Sequence, residues 1–383
     1  MLHQHSRATV LAVNAGSSSL KLTLFPPDEP PLARRIERIG ESGALEDHRA
    51  ALQAAWEAWH EQGRLDALTV AGHRVVHGGE AFDGPVRIND AVLARLQGLS
   101  HLAPLHNPIA LQCIEALSEL APALPQVACF DTAFHHTLPA HAFHYALPPR
   151  FYQQHGIRRY GFHGLSLAAV SRRAAEWLER PLAELNLIIA HLGNGASITA
   201  LEGGRSVETS MGFTPLEGLV MGSRAGDLDP AIPSFLERQL GMRAEEVEQL
   251  LNQRSGLKGL CGHGDLREIH DLADHGDRAA RLALQIYVHR IRKYIGAYTA
   301  VLGRVDGLIF TAGVGEHDAR IREAVCAGLE PLGYVLQSIH NQQHRGGAAA
   351  LQQPSSRTAI WVIPTDEEGE IAREALQTLG SIA

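Results

Sequence analysis

A strand, a small polar turn and a returning strand stand near the start of this 383-residue chain and recur near its middle. The first copy spans residues 8–13, the turn 14–19 and the return 20–25; the second spans 186–190, the turn His191-Leu192-Gly193-Asn194-Gly195 and the return 196–201. An apolar run that reaches a glycine-bearing turn and comes back predicts a β-hairpin. Two such hairpins in separate halves, each followed by helical patterns, predict two related α/β domains. Identity between the halves is slight, so the duplication is read from pattern and not from a sequence repeat. The length also suits two domains better than one core.

The remaining elements follow from periodicity and punctuation. Residues 45–59 carry helical spacing, and 68–76 read as a strand ending at Gly78-Gly79. Residues 107–120 read as a helix, with Asn107-Pro108 placed as cap and first turn. Residues 126–130 form a buried strand leading to Asp131. In the second half, 279–302 is an amphipathic helix ended by Gly303, and 305–311 a strand running into the loop Ala312-Gly313-Val314-Gly315. A helix from about 318 to 329, a last strand 359–363 and a last helix 366–379 complete the reading. The expected division is residues 1–133 with 366–383, and 134–365, with no low-complexity linker between them.

Charge and composition exclude several classes. A net charge of −8 gives no basic footprint for nucleic acid. No run approaches the roughly 18 apolar residues of a membrane span. The N-terminal apolar stretch is short and runs straight into the first turn, so no signal peptide is expected. Cys113, Cys129, Cys261 and Cys326 are far apart and suit free thiols in a reducing cytoplasm. The 22 histidines include His73 and His77, but these sit in a strand-like run without the glutamate of a zinc helix.

Three turns suit phosphate. Asn14-Ala15-Gly16-Ser17-Ser18-Ser19 offers hydroxyls and close backbone approach, with Lys21 just beyond. It is not a Walker loop, and a plain serine-rich turn would read the same. Gly193-Asn194-Gly195 alone is an ordinary hairpin signal. Ala312–Gly315 lies between a strand and a helix, where amides can meet an anion. Arg74 and Arg224 sit in apolar, glycine-rich surroundings, so each either pairs with a carboxylate or faces a site. Asp131 ends an apolar strand, and Glu367-Glu368 open the last helix, where they either answer its dipole or hold Mg²⁺.

Taken together, these motifs resemble the acetate kinase family. The resemblance covers residues 10–373 and rests on NAGSSSLK (14–21), GHRVVHGG (72–79), APLHNP (103–108), FDTAFH (130–135) and RRYGFHG (158–164). It continues through HLGNGASI (191–198), TSMGFTPLEGL (209–219), GDLDPA (226–231), FTAGVGE (310–316) and PTDEE (364–368). It implies two actin- and sugar-kinase-like (ribonuclease H-like) α/β domains with the active site in the cleft between them. It also implies Mg²⁺ (or Mn²⁺), ATP as co-substrate, acetate as acceptor and a cytoplasmic homodimer, with no nucleic acid and no membrane.

The resemblance further implies roles. Asn14 and Glu367 would hold the metal; Ser17, Ser19 and Lys21 would lie along the phosphoryl path. Arg74 and Arg224 would bind the carboxylate and the transferring group, with Asp131 and His163 at the centre. His191, Gly193, Asn194 and Gly195 would face the nucleotide phosphates, and Asp265, Arg267, Gly313, Val314 and Gly315 the rest of the nucleotide. Val76, Leu105, Phe162 and Pro215 would form a methyl pocket. Leu165, Leu167 and His317 depart from the family pattern and leave the nucleotide preference open, as do Lys258 and Cys261–Gly264. A propionate or other short-chain acid kinase, a hydroxyl kinase and a non-catalytic actin-like nucleotide-binding module are the alternatives.

Acetate is ionised at neutral pH, so the reaction needs no general base, unlike transfer to a hydroxyl. The difficulty is to bring two anions together, which puts the weight on Arg74, Arg224, Lys21 and the metal. Asp131 is therefore expected to position Arg74 or a metal-bound water.

Overall fold

A computed structural model describes residues 8–41 and 45–380. The leader expectation falls partly on residues 1–7, and the domain range ending at 383 includes 381–383; both stretches lie outside the described residues. The chain divides into two compact units. One comprises Met1–His136, Gly164–Ala169 and Asp366–Ala383; the other comprises Thr137–His163 and Val170–Thr365.

The first unit is built on a six-stranded sheet of β1 (Thr9–Ala15), β2 (Ser19–Phe25), β3 (Leu32–Glu37), β4 (Leu68–Val75), β5 (Val86–Arg87) and β6 (Gln126–Phe130). The spatial order is β3-β2-β1-β4-β6-β5. β1–β2 and β2–β3 pair antiparallel, β1–β4 and β4–β6 parallel, and β5 antiparallel to β6. The centre of β1, residues 10–13, reads as an unbroken apolar run because both of its faces are covered. Leu11 and Val13 join Leu52, Ala55 and Trp59 of helix His48–Glu61 and Leu117 of helix Asn107–Leu120. Val10 and Ala12 join Ile371, Ala372 and Ala375 of helix Glu367–Gly380 on the other face.

The second unit repeats the plan. Its strands are β7 (Leu187–Leu192), β8 (Ala196–Glu202), β9 (Arg205–Thr209), β10 (Gly307–Thr311), β11 (Ala349–Ala350) and β12 (Ala359–Val362). In space they run β11-β12-β10-β7-β8-β9, which is the first order with each strand replaced by its counterpart six further on. The pairing senses match as well, down to the short antiparallel edge strand. The expected kinship of the halves is therefore a property of the topology.

Local details differ from the expectations. Ala312–Gly315 is not a loop: helix Ala312–His317 starts directly at the end of β10, with Ala312 at φ 62°. The next helix is Ala319–Cys326, with Asp318 as its N-cap, accepting from Ile321 N at 2.9 Å. Asn107 does not cap its helix; His106 occupies that position. Asn107 is buried and holds the end of the β4 segment, accepting from His77 N at 3.1 Å and donating to His77 O at 3.0 Å.

Candidate active site

In the first unit, a polar chain runs along the C-terminal ends of β1, β4 and β6. Arg74, in β4, donates from Nη2 to Asp131 Oδ2 at 2.6 Å and from Nε to both carboxylate oxygens at 3.1 Å. Its Nη1 donates to Asn14 Oδ1 at 3.1 Å. Asn14, at the end of β1, donates in turn to Glu367 Oε2 at 3.1 Å and Glu368 Oε1 at 2.8 Å. Lys21, opposite Asn14 in the hairpin register, reaches Glu368 at 3.4 Å.

Each of these residues was singled out in the sequence, Glu368 beside Glu367 at the start of the last helix. Arg74 thus has a carboxylate partner in Asp131. Burial raises the Asp131 carboxyl above its usual range, and the Arg74 charge pulls it back. Burial also opposes the Arg74 charge, but Asp131, Glu367 and Glu368 outweigh it and raise the guanidinium. Gly164 completes the support. Its N–H donates to Asp131 O at 2.9 Å, and a Cβ there would come within 2.2 Å of that oxygen.

The serine turn is held from behind by a residue the motif reading missed. His48, buried at the start of its helix, donates from Nε2 to Gly16 O at 2.8 Å. Only its place next to the capping Asp47 marks it in the sequence. Ser17 is exposed at the tip, and Val76 is buried just past β4. Leu105 is 55% exposed, not enclosed as a pocket residue would be, because it sits in the turn before Asn107.

In the second unit, an arginine lies beside the β7–β8 turn. Arg224 is half-buried and donates from Nη1 to Pro215 O at 3.2 Å, with Met221 Sδ at 3.8 Å. Among the described residues no carboxylate pairs with it, and burial lowers its pKa with nothing opposing. A Cβ on Gly195 would lie 3.6 Å from both Arg224 Nη1 and His163 Nε2, so this turn, this arginine and this histidine are neighbours. His163 stacks on His191 with centroids 4.1 Å apart and hydrogen-bonds Ser197 Oγ through Nδ1 at 2.9 Å. It adopts φ 62°, a conformation rare for a residue with a side chain. Phe162 is fully buried, and Pro215 is half-buried beside Arg224.

Beside this turn lies a cavity of about 840 Å³ whose lining includes Gly193, Asn194, Asp265, Arg267, Gly313 and Val314. The structure thus brings together six of the residues expected at the nucleotide. Gly315 is not among them; it is buried against Phe310 and the Ala190 carbonyl, where a side chain would not fit comfortably. Arg267 is strongly exposed and paired with Asp265 at 2.5 Å. Leu165 and Leu167 are fully buried, Leu165 among Val10, Val127 and Cys129, so these two departures are packing changes. His317 does line the cavity, as do Tyr287 and His270, which no motif singled out.

Two units of one strand plan, each with a polar turn between its first two strands, define an α/β protein of two like halves. Residues 33–373 match the model of the acetokinase family. The chain is 49% identical to the acetate kinase of Sulfurovum sp. (strain NBC37-1), over 95% of this chain and 97% of that one. It is 50% identical to the acetate kinase of Streptomyces coelicolor, over 96% of each. Among solved structures, Porphyromonas gingivalis acetate kinase superposes with a TM-score of 0.91 at 39% identity, covering 97% of this chain and 100% of that one. A propionate kinase from Francisella tularensis gives 0.88 at 37% identity, covering 97% and 99%. The chain belongs to the acetokinase family.

Proposed function

We propose that this enzyme reversibly transfers the γ-phosphoryl group of ATP to acetate, giving acetyl phosphate and ADP by direct in-line transfer. The observation that carries this reading is Arg224. A half-buried guanidinium with no carboxylate among the described residues is an anion site waiting for its anion. A non-catalytic nucleotide module has no use for it beside His163 and the Asn194-Gly195 turn.

The roles follow from each residue's surroundings. Arg74 is held charged and oriented by Asp131 and Asn14, and it receives the acetate carboxylate. Asp131 is a positioning residue, since both its oxygens are engaged by Arg74 and the acceptor needs no proton removed. Arg224 and His163 meet the charge on the transferring phosphoryl group. The 840 Å³ cavity takes the nucleoside.

The acidic end of the first-unit network fits Mg²⁺ or Mn²⁺. Glu367 and Glu368 converge at the start of a helix on the Asn14 amide NH2, so the two carboxylates supply the oxygen donors while the Asn14 oxygen is turned to Arg74. No group of three or more His, Cys, Asp or Glu gathers into a cage among the described residues. That suits an ion bound through one or two carboxylates and substrate phosphates. Bound there, it would neutralise phosphate charge. We place the enzyme in the cytoplasm, in keeping with its four free cysteines, and as a homodimer, as its family membership suggests.

The test is a hydroxylamine-trapping assay with ATP and a series of short acids. Acetate should give hydroxamate fastest, and propionate more slowly, because one methylene in an apolar pocket is worth only about 1–3 kcal/mol. Propionate deserves its place in the series through the Francisella propionate kinase. Arg224→Ala should lower turnover roughly 10³-fold. A hydroxylamine-insensitive product would point to a hydroxyl acceptor instead, and near-normal turnover of Arg224→Ala would remove that residue from the mechanism.

A further inference from the structure

Two polar atoms of residues that line the nucleotide cavity have no partner among the described residues. Tyr287 lies on helix Arg278–Leu302 among core residues at helical spacing, and is 1% exposed. Its hydroxyl makes no hydrogen bond, although it belongs to a residue that lines the cavity. Phenylalanine would pack as well there without leaving a buried polar atom unmet. The second atom is Nδ1 of His270, on helix Leu266–Asp274, also buried and without a partner.

The chemistry of the second atom can be assigned. His270 Nε2 lies 2.9 Å from Asp318 Oδ2, while Asp318 Oδ1 accepts from Ile321 N as a helix cap. The Asp318 carboxyl is held below its usual range: burial raises it, but the bonds from His270 and from backbone N–H groups outweigh that. It is therefore an acceptor, and the proton of a singly protonated His270 ring sits on Nε2. Nδ1 then presents a lone pair. The wall offers one fixed acceptor, His270 Nδ1, and one hydroxyl able to donate, Tyr287 Oη. The charged groups around them are Asp318, the Arg320–Asp274 pair at 2.8 Å and the Arg267–Asp265 pair; none of these bonds either orphan atom.

We propose that His270 and Tyr287 set the nucleobase preference of the enzyme, selecting adenine because it offers a 6-amino donor beside a ring-nitrogen acceptor. A 6-oxo purine sets a carbonyl against the His270 lone pair, an acceptor against an acceptor, and its ring N–H forces the Tyr287 hydroxyl to turn from donor to acceptor. Sites built to satisfy buried polar groups reject the mismatched ligand strongly, since its binding leaves those groups unpaired. This rests on the nucleotide reading of the cavity given above.

The test compares ATP, ITP and purine riboside triphosphate as phosphoryl donors at pH 8, in the wild type, Tyr287→Phe and His270→Gln. Glutamine keeps a donor for Asp318 and removes the acceptor at the Nδ1 position. The wild type should favour ATP over ITP by roughly 10-fold or more in kcat/KM, with purine riboside triphosphate between them. Each variant should raise KM for ATP and shrink the ATP/ITP ratio several-fold, with kcat for ATP little changed. Calorimetric binding of ADP and IDP should show the same discrimination and the same loss. Equal use of ATP and ITP, or an ATP/ITP ratio that neither variant moves, overturns the proposal. If no nucleotide yields acyl phosphate, the function reading fails on its own, and the ADP/IDP binding ratio still decides the role of these residues.

Discussion

Arg74 and Arg224 share a sequence context and end in opposite electrostatic situations. Arg74 has Asp131, Asn14 and two nearby glutamates, so its charge is held in place before any ligand arrives. Arg224 has a carbonyl and a thioether, so its charge is uncompensated among the described residues. The difference predicts opposite stability effects. Asp131→Asn strands the Arg74 guanidinium and should cost about 3 kcal/mol or more of folding stability, along with activity. Arg224→Met removes a poorly solvated charge and should leave urea stability equal or up to about 1 kcal/mol higher, while turnover falls roughly 10³-fold. An Arg224→Met protein much less stable than wild type would mean that the arginine is structural. The sequence made both arginines visible as apolar-flanked charges, but partner identity is a tertiary fact. Asp131 lies 57 residues from Arg74 and meets it only because β4 and β6 pair in parallel.

At the level of elements, two helical glycines separate support of the site from helix propensity. Gly164 opens helix Gly164–Leu178 against the Asp131 carbonyl, where a Cβ would meet backbone at 2.2 Å. Gly296 lies inside helix Arg278–Leu302 with no atom within 4 Å of a built Cβ. Gly164→Ala should therefore displace Asp131, cost about 1–3 kcal/mol and lower turnover. Gly296→Ala should raise stability by about 0.5–1 kcal/mol with turnover unchanged. Thermal unfolding and initial rates on the two variants check both statements, and a stabilised, fully active Gly164→Ala would contradict the first. Legibility followed the same logic of burial. Strands β1, β4, β6, β7 and β10 are buried along most of their length and read as apolar runs. β3 was missed because Leu32–Glu37 alternates half-buried residues with exposed ones and carries two adjacent arginines. β5 and β11 are two residues long and exist only through their neighbours' hydrogen bonds. His48, Tyr287 and His270 were illegible for another reason: a histidine or tyrosine at core spacing looks the same whether or not its polar atom faces a ligand.

Across the whole molecule, a buried histidine and a half-buried glutamate of the first unit oppose each other over the same pH range. His73, in β4, is 1% exposed, and burial pushes its pKa down to about 4, with a weak contact to Gln126 acting the other way. Glu374, on helix Glu367–Gly380, is pushed up to about 7, first by burial and then by the Glu370 charge. The thiol of Cys129 and Arg373 pull it partly back, and Asp131 adds to the rise. Between pH 4 and 6.5 the unfolded chain binds a proton at His73 that the folded chain does not, so this group makes stability rise with pH. Between pH 4.5 and 7 the folded chain keeps a proton at Glu374 that the unfolded chain has lost, so this group makes stability fall with pH. Each contribution amounts to about 3 kcal/mol over its window, and in the wild type they largely cancel. Replacing either group should unmask the other. Relative to wild type, Glu374→Gln should become more stable by up to about 3 kcal/mol as pH rises from 4.5 to 6.5, and His73→Gln should become less stable by a similar amount. The double variant should return to the wild-type slope, since each substitution deletes one of two opposed proton linkages. Urea midpoints at three pH values, read by amide hydrogen exchange in β4 and β6, measure all four proteins. If both single variants kept the wild-type pH dependence, neither group would be held away from its ordinary pKa, and burial in the first unit's core would have to be reassigned.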